Sequence, residues 1–252
     1  MNLRRLLPLL VGALVLSVLV GASSTASAGS RVCGAGAFGT GGYTYAGHQA
    51  GSTGHGVRAT IASVRVPEVT AGHVAAWVGL GGPGLGVNGT DEWIQVGLAT
   101  VPNTQPFLYA EVTRPGREPA FQLLEEAVPF GASRRVAVLE MSGRPNWWRI
   151  WVDGDPVTKP IYLRGSSLRW SPIATAESWD GGAGACNRFA FRFERVSVSQ
   201  ALGGSWSTFE SGYRFLDSGY SVRTLAAGDH GKHARRLAGV GPAPYAFLAS
   251  SS

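Results

Sequence analysis

Three short stretches each carry one polar side chain among aromatics, at spacings that could do chemistry. In Trp93-Ile94-Gln95-Val96-Gly97-Leu98, a period of two sends Trp93, Gln95 and Gly97 to one side and Ile94, Val96 and Leu98 to the other. Gln95 therefore faces away from the apolar side, next to a tryptophan. Thr175, Glu177 and Trp179 share a side opposite Ala174, Ala176 and Ser178, and Phe107, Tyr109, Glu111 and Thr113 share one opposite Leu108, Ala110 and Val112. A carboxylate can take a proton from attacking water and return it to a leaving amine. A primary amide does not titrate, but its N–H can stabilise the oxyanion of a tetrahedral intermediate. Such chemistry calls for no cofactor.

The elements that must position these residues are strands. Segments such as Val57 to Val66, Val74 to Leu80, Phe121 to Val128, Arg135 to Met141 and Phe189 to Val198 are short, rich in β-formers and separated by Gly, Pro, Asn or Asp. Ten or so of them predict an all-β chain folded as an antiparallel β-sandwich. Asp153-Gly154 reads as a tight hairpin turn, with Trp147, Arg149 and Trp151 on one face of the preceding strand and Trp148, Ile150 and Val152 on the other. Such a hairpin is common in jelly-roll sandwiches of the concanavalin A-like kind. A concave sheet lined by Gln95, Glu111, Glu177 and their aromatic neighbours would form a substrate groove.

Four stretches, AAWVGLGG, WIQVGLA, LYAEVTRPG and IATAESWDG, occur in an order and at separations that resemble the glutamic peptidases, or eqolisins, secreted β-sandwich endopeptidases. The resemblance runs from about Val57 to Val198 through short motifs, and FRFERVSVSQA is similar to the strand that follows the family's glutamate. It implies that Gln95 is the catalytic glutamine, Glu177 the catalytic glutamate, Trp77 a cleft tryptophan and Glu111 a supporting acid. Trp93, Tyr109 and Trp179 would line the groove around them. The chain departs from the family at Gly81 and Ala99, where acids that help set the proton balance of an acid-working enzyme are usual, and at Ser178, where an aromatic is usual. The reading from another class is a non-catalytic sandwich that binds carbohydrate or a surface partner through the same aromatic-lined face.

The first residues resemble an export signal: Arg4 and Arg5, an apolar run from Leu6 to Ala22, and the small-residue site Ala26-Ser27-Ala28. Residues 1–28 are therefore expected to be removed, leaving a secreted chain with no membrane anchor. Its formal charge falls from +6 to +4 without Arg4 and Arg5. Arginines spread along the chain, with no dense block before Lys232 to Arg236, give no nucleic-acid footprint. The only two cysteines, Cys33 and Cys186, are expected to pair as a disulfide in an oxidising compartment. No metal site is expected: His230 and His233 lack further ligands, and His48 and His55 read as loop residues in a Gly-rich stretch. The domain is assigned to residues 30–225, and residues 226–252, basic and rich in Gly, Pro and Ser, are expected to be poorly ordered. The expected partner is a polypeptide, or alternatively a polysaccharide, bound by a monomer.

Overall fold

The computed structural model describes residues 42–180, 187–209, 212–225 and 245–251. Their strands are β1 (Tyr43–Ala50), β2 (Gly56–Ser63), β3 (His73–Gly82), β4 (Glu92–Thr100), β5 (Phe107–Thr113), β6 (Ala120–Glu125), β7 (Ser133–Glu140) and β8 (Trp147–Val152). There follow β9 (Asp155–Pro156), β10 (Ile161–Tyr162), β11 (Ile173–Trp179), β12 (Ala190–Ser199), β13 (Trp206–Thr208), β14 (Gly212–Leu216), β15 (Tyr220–Thr224) and β16 (Tyr245–Ser251). No α-helix occurs among the described residues.

Two antiparallel sheets form the expected jelly-roll sandwich. One runs β14-β1-β11-β3-β4-β5-β6, and the other β10-β8-β7-β2-β12-β16-β15, with β13 beside β12 and β9 beside β8. Alternation decides which side chains enter the core between them. Val74, Ala76, Val78 and Leu80 of β3 and Ile94, Val96 and Leu98 of β4 point inward, as do Val57, Ala59 and Ile61 of β2 and Phe191 and Phe193 of β12. The Asp153-Gly154 turn has the expected positive φ at both residues, 52° and 108°. Trp148 and Ile150 are fully buried on the core side of that hairpin, and the Trp148 indole donates to Ser166 Oγ at 2.7 Å.

Three expectations need correction. Tyr43–Ala50 is a strand, so His48 is not a loop residue: its Nε2 lies 2.6 Å from Tyr245 Oη, and its ring packs edge-on to Phe247. Residues 245–251 are not part of a loose tail. They form β16 between β12 and β15, where Phe247 stacks on Phe193 at 4.4 Å between ring centroids. A seven-residue strand with two core positions, Phe247 and Ala249, was masked by the Gly/Pro/Ser composition before it. The domain therefore reaches beyond residue 225. Cys33, Cys186, the export segment and His230 to His233 lie outside the described residues.

Candidate active site

The outward face of the seven-stranded sheet brings the polar residues together on its central strands. Across it, Tyr45 of β1, Glu177 of β11, Ala75 of β3, Ala99 of β4 and Phe107 of β5 form one rung. Thr175, Trp77, Gly97 and Tyr109 form the next, and Ile173, Gly79, Gln95 and Glu111 the one after. Glu177 and Gln95 thus flank the rung that carries Trp77 and Tyr109. Those two aromatics are what each polar group touches: Trp77 Nε1 donates to Glu177 Oε2 at 3.2 Å, and Gln95 Nε2 donates to Tyr109 Oη at 3.2 Å. Gly97 makes the arrangement possible, because a Cβ there would lie 2.0 Å from the Ala76 carbonyl oxygen and 2.7 Å from Trp77 Cβ.

The second oxygen of Glu177 is held by a residue the sequence reading left out. His73 Nε2 lies 2.9 Å from Glu177 Oε1. Ala75 sits directly opposite Glu177 in the register, so His73 and Trp77, two residues to either side, are its diagonal neighbours, within reach of long aromatic side chains. The small alanine between them leaves the carboxylate free to meet both. Burial, and then the Glu177 charge, push the Tyr45 phenol far above its usual range. Tyr43 and Tyr109 are raised as well, first by burial and then by the charges of Glu177 and Glu111, so all three phenols stay protonated. The Trp179 ring stacks on Tyr43 at 5.8 Å and tilts against His73 at 5.6 Å.

Glu111 stands opposite Gln95, but its carboxylate accepts from Trp93 Nε1 at 2.7 Å. Burial raises its pKa, the Trp93 bond opposes that, and the Glu177 charge raises it further. The face is less open than a lined groove implies. Gln95 is 9% exposed, Glu177 8%, Trp77 8% and Tyr109 4%, while Trp93, Glu111 and Trp179 are half-buried. Ala75, Trp77, Ala99 and Tyr109 form a small apolar cluster of their own, with Tyr45, Phe107, Phe121 and Ile173 packed around it.

The three departures acquire physical reasons. Gly81 has a φ of +88°, and a Cβ there would lie 2.2 Å from the Glu92 carbonyl oxygen, so this backbone excludes an acid at that position. Ala99 belongs to the apolar cluster, on the same rung as Glu177. Ser178 turns to the core side, where its Oγ accepts from Asn187 Nδ2 at 3.2 Å. His73, Tyr43 and Tyr45 share this face by parity: His73 has the parity of Trp77, and Tyr43-Thr44-Tyr45 alternates in β1. Among the described residues no group of three or more His, Cys, Asp or Glu could hold a metal ion.

The fold is that of known peptidases. Two crystal structures of scytalido-glutamic peptidase, one with a peptide-based transition-state analogue and one with a transition-state analogue inhibitor, superpose with TM-scores of 0.55 and 0.56 at 14% and 13% identity. Each match covers 82% of this chain and 98% of the other. SCP-B, a member of the eqolisin family, in complex with the tripeptide Ala-Ile-His, is matched over 82% of this chain and 96% of its own with a TM-score of 0.49 and 14% identity. No family model matches the sequence, and no curated protein does. The chain has the eqolisin-like, concanavalin A-like sandwich.

Proposed function

We propose that this chain, built on the glutamic-peptidase fold, is an exported endopeptidase in which Glu177 activates water and Gln95 stabilises the oxyanion. The observation that carries the reading is the placement of one buried carboxylate and one buried amide on either side of the Trp77–Gly97–Tyr109 rung. A peptide lying over that rung would present its scissile carbonyl between them. Glu177 takes a proton from water as the oxygen attacks the carbonyl carbon, then delivers it to the amine as the C–N bond breaks. The Gln95 N–H, released from Tyr109, stabilises the negative oxygen, a contribution of about 3–4 kcal/mol when well placed. No cofactor takes part, and the chain acts as a monomer.

His73 and Trp77 each hold one oxygen of Glu177, so the carboxylate is oriented before substrate arrives. Trp93, Tyr109, Glu111 and Trp179 line the path of the polypeptide. Export follows from the signal-like residues 1–28; no helix among the described residues is long and apolar enough to cross a membrane. The test is incubation of the purified mature chain with a denatured protein from pH 2 to 8, reading new N-termini by mass spectrometry. New termini that need no added metal support the proposal, and an intact substrate at every pH removes it.

One observation favours the second reading. Glu177 is already bonded by His73 and Trp77, as a structural carboxylate would be. On that reading the face binds a carbohydrate or a surface partner without cleaving it, and retained binding without new termini identifies it.

A further inference from the structure

Arginines far apart in sequence meet on the outer face of the nine-stranded sheet. Arg58 of β2, Arg135 of β7 and Arg195 of β12 line one cavity of about 150 Å³, with Ala59 and Thr60 between them. The Arg58 guanidinium lies 4.4 Å from the centre of the Trp206 ring. Burial lowers its pKa, and the charges of Arg135 and Arg195 lower it further.

Arg195 is placed there by a backbone irregularity. β12 is bulged between Glu194 and Ser197 against β2, and Arg195 has a φ of +55°, a conformation that favours glycine. A bulge re-aims a side chain, and strain of this kind persists where the surrounding structure imposes it. Of the acids on this face, Glu194 contacts Arg192 at 3.4 Å, and Asp153 Oδ1 accepts from the Arg135 backbone N–H. The neighbouring strand β8 turns Trp147, Arg149 and Trp151 outward, and two of its buried donors, Arg149 Nε and Trp151 Nε1, have no acceptor.

We propose that this face is a binding surface for an acidic polysaccharide, with an anionic group seated among Arg58, Arg135 and Arg195 and sugar rings laid over the adjacent tryptophans. Guanidinium groups suit carboxylate or sulfate oxygens. Trp147, Trp151 and Trp206 are half-buried, lying low in the face. Such rings can stack on the apolar faces of pyranoses, and the lack of a dense basic block before Lys232 to Arg236 disfavours nucleic acid. The surface lies on the opposite sheet from Glu177 and Gln95, and its occupancy does not depend on their chemistry.

The test is binding of the purified mature chain to polygalacturonate, dextran sulfate, neutral dextran and single-stranded DNA at matched ionic strength. Arg195→Gly and the Arg58→Ser/Arg195→Gly pair serve as variants. The expected result is salt-sensitive binding to one or both acidic polysaccharides, weakened about tenfold or more in the double variant. Arg195→Gly relieves the positive φ, so it should weaken binding while its melting temperature holds or rises. A purely structural arginine predicts a fall in melting temperature and no change in affinity, and that result overturns the proposal. So do absent binding, equal affinity for neutral dextran, or tighter binding to DNA. Peptide cleavage by these variants should match the parent, so failure here is distinguishable from failure of the peptidase reading.

Discussion

His73 Nε2 lies 2.9 Å from Glu177 Oε1, on the diagonal across Ala75 from the Trp77 indole that holds the other carboxylate oxygen. Glu177, the proposed base, is thus oriented by a histidine and an indole.

Removing that donor should be felt in turnover. His73→Ala is expected to lower kcat/KM by about ten- to a hundredfold, as loss of one oriented charge-assisted hydrogen bond does. His73→Gln, which keeps an N–H in reach, should recover part of it. Steady-state kinetics on a peptide substrate check this, and equal activity in all three proteins would show that Glu177 needs no help from His73.

Restoring the family acid should fail for a backbone reason. Gly81→Asp places a Cβ against the Glu92 carbonyl at a φ of +88°. The expected cost is about 1–3 kcal/mol of stability from the strained backbone alone, read as a lower urea midpoint. A variant as stable as the parent would mean that this strand relaxes freely.

Glu111 gives a pH dependence of definite sign. Its folded pKa is raised, chiefly by burial. The group therefore favours the folded state while protonated, below the ordinary carboxylate range, and loses that contribution as pH rises through the folded value. Glu111→Gln should match the parent near pH 3. At pH 7 it should melt higher, by about 2–4 °C for each kcal/mol relieved. A variant that melts lower at pH 7 would show that the bond from Trp93 outweighs desolvation.

His48 has the opposite sign. Burial, and then the Arg214 charge, lower its pKa from 6.5 to about 4. The neutral ring is hydrogen-bonded through Nε2 to Tyr245, whose phenol is itself raised to about 12, chiefly by burial. Its contribution is present above pH 6.5 and is lost as pH falls toward 4. Denaturant titrations should show about 1–2 kcal/mol lost across that interval, allowing for screening of a half-buried ring. His48→Gln should flatten the loss, and an unchanged pH slope would exclude His48 as its source.

The sequence was most readable where alternation was strict. In β4 and β11 the period of two alone turned Gln95 and Glu177 away from the core. The hairpin at Asp153-Gly154 was legible because positive φ is a local demand with a local residue signature. β16 was not, since its place between β12 and β15 depends on partners distant in the chain. His73 escaped notice because the strand was begun one residue late, at Val74. Nor does any local pattern show that a bulge in β12 brings Arg195 to Arg58 and Arg135, for that convergence exists only once the sheet is assembled.

Glu177 and Gln95 are proposed to act together on a peptide bond. Cleavage of a denatured protein by the mature chain, beside Glu177→Gln and Gln95→Ala at the pH where the parent is fastest, tests this. Cleavage is expected from the parent, with near-complete loss in Glu177→Gln and a fall of about a hundredfold or more in Gln95→Ala. Equal cleavage by all three would contradict it.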